Sequence, residues 1–522
     1  MSSDRGGRAA TVVGFGILLS RLTGLLRGFF IARYFGMGLE TEAFNTASRI
    51  PNIMRNLLGE GALSASFVPV YSRLLAKGED RAANALANAV LGLLMGSISI
   101  LTLVGVAAAP ALTTLLAGGF TGEKRELTIQ LTQILFPMTA LMVLSGWCLG
   151  IQNSHRRFFW SYASAAMWNV AQIVFLLWRG PSAPLLRELA VGLAWATLVG
   201  SILQVVAQLP EVLKLVRPIR LSLDKTTPGV AETLKNVLPV VTALGVVQLS
   251  SLIDVQIASR LPGSPISSLN NANAIVLLPV ALFGVSVAAS SLPEFSRESE
   301  SIDKSALLER LRGGWQRVLF YIVPSTIACI VYGDLIVGLL YRTGRFTASD
   351  EHIVHSVLAG FAVGLISYGS VKLLASAHYA LKDYRTPLRA SLSSLGVSAV
   401  ISIGLAIALH NTIYAAAGIA LGTAIGSYVN LSVQIGGLRA KLGPLYTAHM
   451  WRGTRRIVIA TIAAAIVAAP VRYLMLGKIP FIAAPPTLAV FSLAYLVIAW
   501  LMGSGEAARW LRQPARAESH SQ

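Results

Sequence analysis

Apolar residues along the chain fall into long runs, each of roughly 20 residues or more and poor in charge, separated by short polar stretches. A run of that length crosses a hydrocarbon core of about 30 Å as an α-helix. The runs predict helices near 9–33, 41–73 with an internal break, 83–116, 127–152, 158–178, 187–210, 230–260, 266–295, 314–341, 353–380, 388–409, 412–437, 453–476 and 480–503. About fourteen such helices make an all-α polytopic membrane protein. No stretch alternates at period 2 for the length a barrel strand needs, which excludes a membrane β-barrel. The longest polar stretch, 211–228, reads as a cytoplasmic connector, and 504–522 as a polar cytoplasmic tail. Neither could form a soluble domain, so any chemistry belongs in or at the bilayer.

Laying the second helix over the eighth shows an internal repeat. Asn45, Ala47 and Ile50 fall on Asn270, Ala272 and Ile275, and with one gap Ala65, Ser66, Pro69, Ser72 and Arg73 fall on Ala289, Ser290, Pro293, Ser296 and Arg297. The spacing is about 225 residues, half of what twelve helices span, and both copies run the same way through the membrane. This predicts two parallel six-helix lobes, 1–210 and 229–440, joined by the connector and followed by two further helices within 441–503. Paired lobes of this kind are typical of alternating-access transporters. The repeat fails at Arg49, which opposes Ala274, and at Arg55 and Glu60, which meet apolar or small residues. The charge belongs to the first lobe.

Composition agrees with the pattern: 54% of the 522 residues are hydrophobic and 13% charged, about half the charge of a soluble domain. The net charge of +19 could suggest nucleic acid, but position decides otherwise. With both termini inside, about 28 of the 43 lysines and arginines fall in inside loops, about 10 outside and about 5 at membrane depth. The excess is therefore an orientation signal, and no nucleic-acid role is expected. Cys148 and Cys329 lie in apolar segments without metal-ligand or CxxC spacing and read as small core residues. The first apolar run carries arginines and no small-residue cleavage site follows it, so no cleaved leader is expected.

Candidate chemistry is concentrated in four arginines. Arg21 and Arg27 lie in the first helix, Arg49 and Arg55 in the second, each pair six residues apart. Six residues leave two side chains ~120° apart and ~9 Å along the axis, so each pair can address one broad cavity. A charge at the bilayer centre costs roughly 2.5–3.5 kcal/mol even on a lenient scale, so the four must face water, counter-charges or an anion. Two readings stay open. Arg21 and Arg27 snorkel while Arg49 and Arg55 pair with Glu42 or Glu60, or all four line an anion site suited to phosphate, since guanidinium forks match its oxygens and keep their charge. Pro51, beside Asn52, and Gly59 with Gly61 break the second helix, either as a packing kink or as part of a transport path. Asp254 is the one carboxylate well inside the seventh helix and either takes a coupling cation or bonds a neighbour; Lys372 is a similar isolated charge. The SDEHIVH stretch (Asp350, Glu351, His352, His355) has histidines at i, i+3, but it opens a predicted helix, where acids are favoured anyway, and no metal site is expected. No phosphate loop, DxD pair or Ser/His/Asp set occurs, which argues against an enzyme and for a protein without a catalytic residue or cofactor.

The strings SRLTGLLRGFFIARYFG (20–36), TEAFNTASRIPNIMRNLLGEGALSASFVPVYSR (41–73), GRFTASD (344–350) and LKDYRTP (381–387) carry a resemblance to a known family. The chain resembles the MurJ (MviN) family, bacterial lipid II flippases of the multidrug/oligosaccharidyl-lipid/polysaccharide exporter superfamily. The resemblance covers nearly the whole chain, the two last helices included. It implies two six-helix lobes around a cationic cavity, a lipid-tail groove at helices 13 and 14, and transport of undecaprenyl-diphosphate-linked peptidoglycan precursor across the bacterial inner membrane. It implies partnership with lipid II or a related polyprenyl-diphosphate glycolipid, membrane lipids and cell-wall synthesis proteins. Arg21, Arg27 and Arg55 fall on the family's essential arginines, Arg49 on a basic position and Glu42 on a position usually Asp. Drive would come from Na+ or H+ at Asp254 or from the membrane potential. The sequence departs from the family at Gly28, Ala274 and Leu277, where charged residues are usual, and at Ser398 and Ser402, where some members have sodium ligands. Alternative functions are flipping of another polyprenyl-linked oligosaccharide, drug export, polyprenyl-phosphate transfer, or a non-transporting cell-wall scaffold.

Overall fold

Glycine, proline and backbone-seeking hydroxyls interrupt the apolar runs, so several expected spans are jointed helices rather than single rods. The computed structural model describes residues 2–288, 291, 295, 298 and 304–512. Regular structure among them is entirely helical. The chain divides into two compact units, Met1–Arg260 with Thr343–Phe346, and Leu261–Arg342 with Thr347–Gln522.

The first unit contains α1 (Ser2–Phe35), α2 (Leu39–Ala47), α3 (Arg49–Met54), a π-helical segment (Arg55–Ala62), α4 (Leu63–Ala76), α5 (Asp80–Ala107), α6 (Ala109–Leu116), α7 (Gly122–Leu135), α8 (Met138–Ser154), α9 (Phe158–Ala163), α10 (Ala165–Arg179), α11 (Leu186–Leu215) and α12 (Val230–Ala258). The second contains α13 (Pro265–Pro279), a π-helical segment (Val280–Val285), α14 (Ser305–Val331), α15 (Gly333–Tyr341), α16 (Ala348–Val363), α17 (Leu365–Ala380), α18 (Arg385–Ala408), α19 (Ala415–Leu442), α20 (Ala448–Leu474), α21 (Pro480–Leu501) and α22 (Gly505–Arg512).

Among the described residues nine helices are long and apolar enough to cross a membrane, and ten if α16 and α17, bent by 42°, form one span. Hydropathy counts about fourteen runs. The runs not among these spans are four: α1, which carries Arg21, Arg27 and Arg33; the run 41–73, divided into four pieces; the run 158–178, jointed at Ser164; and the run 230–260, which forms α12.

Buried side chains of α4, α5 and α8, among them Phe67, Tyr71, Leu86, Trp147 and Ile151, form one apolar core of the first unit. A second joins α1, α2, α7, α10 and α11 through Phe35, Phe44, Leu131, Leu176 and Leu193. Between helices the glue is polar. Gln208 on α11 donates to Ser145 on α8 at 2.8 Å and to Ser164 at the α9–α10 joint at 2.7 Å, and Gln204 donates to Ser145 at 2.9 Å. Such hydroxyl–amide bonds between helices stand in for a hydrophobic drive that lipid removes.

The sequence sets the lobe boundary at the connector, but α12 packs along α4 and the first π segment, and Arg73 pairs with Glu232 across them. The contact boundary therefore falls after Arg260, one helix later. The connector itself is fastened to α5. Asn88 donates to the Pro218 carbonyl at 2.9 Å and accepts from the Arg220 N–H at 3.0 Å, and a Cβ on Gly92 would stand 2.1 Å from the Ser222 carbonyl oxygen. Asp224 then accepts from the Thr226 N–H at 2.8 Å, closing the turn into α12.

The repeat has a structural counterpart. Both copies widen into a π turn after a proline-bearing helix, Arg55–Ala62 after Pro51 and Val280–Val285 after Pro279. In each unit a glycine of the π turn lies against a neighbouring backbone. A Cβ on Gly59 would be 3.1 Å from the Met142 carbonyl oxygen, and one on Gly284 3.0 Å from Gly369 Cα. Ala289, Ser290, Pro293, Ser296 and Arg297 of the second copy lie outside the described residues.

The GRFTASD string has two jobs. Its Thr347 and Asp350 form a capping box at the start of α16. Its Gly344 (φ +56°) sits in the first unit against the end of α1, where the Arg345 N–H donates to the Arg33 carbonyl at 2.9 Å. A Cβ on Gly344 would lie 2.1 Å from that oxygen, and one on Gly36 (φ +64°) 2.6 Å from the Arg345 carbonyl oxygen. In the LKDYRTP string, Asp383 accepts from Lys441 at 2.5 Å, His378 at 3.0 Å and the Thr386 N–H at 3.1 Å. His378 also faces the Gln434 carbonyl at 3.1 Å, so the α17–α18 turn is fixed to α19. In the same unit Tyr332 donates to the Ala465 carbonyl at 2.6 Å and Tyr495 to the Phe320 carbonyl at 2.5 Å, seating α20 and α21.

Gly344→Val should destabilise the protein by roughly 2–3 kcal/mol, because a left-handed backbone and a backbone contact are both violated; thermal unfolding in detergent measures it. Burial alone would raise the Asp383 carboxyl, but hydrogen bonds from Lys441, Thr386 and His378 outweigh it and hold the group below its ordinary 3.8. Its stabilisation is thus fully present above about pH 4 and fades as pH falls below that. Asp383→Asn should lower the melting temperature by several degrees at pH 7 and flatten its decline between pH 5 and 3.

Candidate functional site

Asn169 on α10 sets α1 in place. Its amide donates to the Ser20 carbonyl at 3.2 Å and to the Thr23 hydroxyl at 3.1 Å, while Thr23 donates to the Leu19 carbonyl at 2.9 Å. One position earlier, Trp168 meets two of the expected arginines. The Arg27 guanidinium carbon lies 4.7 Å from the Trp168 ring centroid and that of Arg55 lies 5.9 Å from it. Arg27 comes from α1 and Arg55 from the start of the π segment, so residues 28 apart in sequence share one indole. The Nε atoms of Arg27, Arg49 and Arg55 are withdrawn from solvent. Arg21, one turn and a half before Arg27, is exposed.

Arg49 opens α3, and Asp254, expected in the second lobe, lies near the end of α12; both belong to the first unit.

The break expected at Pro51, Gly59 and Gly61 is not an unwound gap. Pro51 is buried, Asn52 is half-buried and donates its N–H to the Ser48 carbonyl at 3.2 Å, and helix continues into the π turn at Arg55. A π turn adds a residue per hydrogen-bonded ring and so re-aims the side chains at its start without leaving backbone groups open. Gly59 and Gly146 allow this widened turn to lie on α8: a Cβ on Gly146 would be 2.4 Å from the Gly59 carbonyl oxygen.

Glu42 on α2 is 0% exposed and pairs with Lys124 on α7 at 3.4 Å, and Lys124 also sits 4.2 Å from the Phe120 ring centroid. Glu60 lies outside the residues whose side chains are described. In the second unit Ala274 and Leu277 are exposed, and Lys372 is exposed on α17. Ser398 and Ser402 are buried and donate to the Leu395 and Ile419 carbonyls at 3.0 and 3.2 Å. The SDEHIVH side chains diverge. Asp350 caps α16, Glu351 pairs with Arg342 at 3.3 Å, His352 meets the Tyr414 hydroxyl at 3.2 Å and His355 the Ile330 carbonyl at 3.1 Å.

The geometry therefore gathers Arg27 and Arg55 at Trp168 and pairs Glu42 with Lys124. Trp168, Asn169 and Lys124 were not singled out by the sequence. Only the polar Asn169 inside the apolar AAMWNV stretch offered a signal.

The family described as "Lipid II flippase MurJ" matches residues 31–488. This chain belongs to the MurJ family. A "Lipid II flippase MurJ" of Burkholderia cenocepacia is 31% identical over 521 residues, covering 94% of this chain and 96% of that one. A "Probable lipid II flippase MurJ" of Vibrio cholerae is 30% identical over 83% of this chain and 82% of its own length. Among solved structures, one titled "Lipid II flippase MurJ, inward closed conformation" matches with TM-score 0.79 at 22% identity, over 94% of this chain and 98% of that chain. An inward-facing multidrug resistance MATE family transporter of the MOP superfamily matches with TM-score 0.65 at 17% identity, over 84% and 98%. Both share the fold. MurJ membership makes this a multi-pass membrane transporter and not an enzyme.

Removing the ammonium beside a buried carboxylate takes away a compensating charge. Lys124→Met should therefore cost about 2–3 kcal/mol, and Glu42→Gln in the same background should restore most of it, as read by thermal unfolding.

Proposed function

We propose that this MurJ family member moves lipid II, the undecaprenyl-diphosphate-linked peptidoglycan precursor, from the inner to the outer leaflet of the bacterial cytoplasmic membrane by alternating access. Both termini lie in the cytoplasm in this reading, as the positive-inside distribution supports. The observation that carries it is the convergence of Arg27 and Arg55 on Trp168 in the first unit. Guanidinium forks brought to one indole from two elements suit an anion with several oxygens, and a diphosphate supplies them. Arg21 and Arg49 extend the same cationic path, Glu42, Pro51, Asn52 and Glu60 shape its walls, and the headgroup crosses while the polyprenyl tail stays in lipid beside α20 and α21.

Asp254, inside α12, is the carboxylate through which Na+ or H+ would couple; the membrane potential acting on the arginines is the other source of drive. Cell-wall synthesis proteins are the expected neighbours in the membrane. A second reading, flipping of a different polyprenyl-linked oligosaccharide, is favoured by Ala274 and Leu277, which leave the second unit without charge at those positions.

The test is growth rescue in a bacterium whose own lipid II flippase can be switched off. Wild type should rescue, while Arg27→Ala and Arg55→Ala at equal membrane levels should fail, each losing at least about tenfold in lipid II delivered to the outer leaflet. Rescue by the double variant would overturn the arginine site. Failure of well-expressed wild type in several hosts would favour the second reading.

A further inference from the structure

We propose that a groove between α7 and α11 in the first unit is a binding site for an ester-linked glycerophospholipid. The site is separate from the arginines, and its ligand is separate from a polyprenyl tail, which carries no carbonyl.

The two helices start at the same level. Arg187 near the start of α11 pairs with Glu123 near the start of α7 at 3.9 Å, and both helices belong to stretches long and apolar enough to cross a membrane. The charge at this end stops at Glu126 on α7 and at Glu188 on α11. Gln130 and Gln133 follow about 6 and about 10 Å further along α7, and Trp195 about 10 Å further along α11. With Ile134, Pro137 and Leu198 toward the deeper end, these side chains line a groove of about 400 Å³. Gln133 is exposed, Gln130 is half-buried and Trp195 is 54% exposed. Among the described residues none of these three side chains makes a hydrogen bond within the protein.

An amide that faces hydrocarbon without a partner is unfavourable, so whatever fills the groove brings acceptors for the amide N–H groups and the indole N–H. Depth says which acceptors. Side chains lean toward the start of their helix, so the donors of α7 and α11 reach back toward the headgroups, the level at which the ester carbonyls of a diacyl glycerolipid lie. Gln130 and Gln133 are one helical turn apart on one face, and the two carbonyls of a single glycerol diester answer two such donors. The deeper, apolar end takes the first methylenes of an acyl chain. A partner helix would offer one side chain to a groove of this size, not acceptors for donors on two helices. No charged residue lines the groove, so the ester linkage and not the headgroup defines the ligand class. In the orientation proposed above the groove opens to the outer leaflet; the preference for an ester holds in either orientation.

The test uses the full-length protein in detergent, with dioleoyl phosphatidylglycerol and its diether analogue as probes and native mass spectrometry as the readout. The probes share headgroup and chains and differ only in the carbonyls. Wild type should retain the diester at least about tenfold better than the diether. Gln130→Leu with Gln133→Leu should bring the two within about threefold by weakening the diester alone. Trp195→Phe, which keeps a ring and removes the N–H, should lose part of the preference. Exchanging the headgroup of both probes for phosphatidylethanolamine should leave the ratio unchanged, and a ratio that follows the headgroup overturns the proposal. Equal retention of diester and diether by wild type also overturns it, as does a preference that the double variant keeps, which places the lipid elsewhere. A second protein chain that stays with wild type and leaves with the double variant gives the groove to a helix and overturns it as well. Should the double variant fail to fold, as read by thermal unfolding, Gln133→Leu alone, at an exposed position, carries the same comparison.

Discussion

An arginine inside a membrane-spanning helix cannot shed its charge, and the first unit is built around that fact. Protonated at any accessible pH, a guanidinium at bilayer depth needs partners that stay in place. Here Arg27 and Arg55, from α1 and from the start of the π segment, meet one indole on α10. The packing of α1 on α10 and of α12 on the π segment follows from the same requirement. Remove the charges and the Asn169 bonds, the π turn at Arg55 and the placement of α12 lose a common reason.

The two units share a backbone device and differ in what they do with it. Each has a π turn after a proline-bearing helix and a glycine pressed against a neighbouring backbone. In the first the turn begins at Arg55; in the second it begins at Val280, and the preceding helix has Ala274 opposite Arg49. A duplicated scaffold has therefore kept its packing geometry in both halves and its electrostatics in one.

Much of this could be read from the residues. Long apolar runs identified the helices, the uneven placement of Lys and Arg identified the orientation signal, and the cost of charge in lipid pointed to Arg21, Arg27, Arg49 and Arg55. What escaped was local or distant. Hydropathy averages over a window, so the joints at Pro137, Ser164, Tyr332 and Gly364 vanish into continuous runs. Trp168 reads as one more apolar residue, since nothing in AAMWNV says that two cations from other helices end on its ring. Lys124, a partner of Glu42, lies 82 positions away, beyond the reach of any local sequence pattern. The boundary after Arg260 depends on packing between α4 and α12, which no composition shift marks.

The fastening of the connector to α5 changes what kind of mechanical part it is. A polar stretch between two helices would ordinarily be a slack leash, letting whatever follows wander. With Asn88 gripping Pro218 and Arg220, and Gly92 seated under Ser222, the leash is nailed down for most of its length. The remainder, from Asp224 to Gly229, whose φ is +89°, is tied as well: Asp224 accepts from Thr226 and Thr227, and the Val230 N–H donates to the Thr227 carbonyl. The connector is thus a brace: it delivers the start of α12 against Val70 and Leu86, and so fixes the origin of the helix that carries Asp254 near its other end.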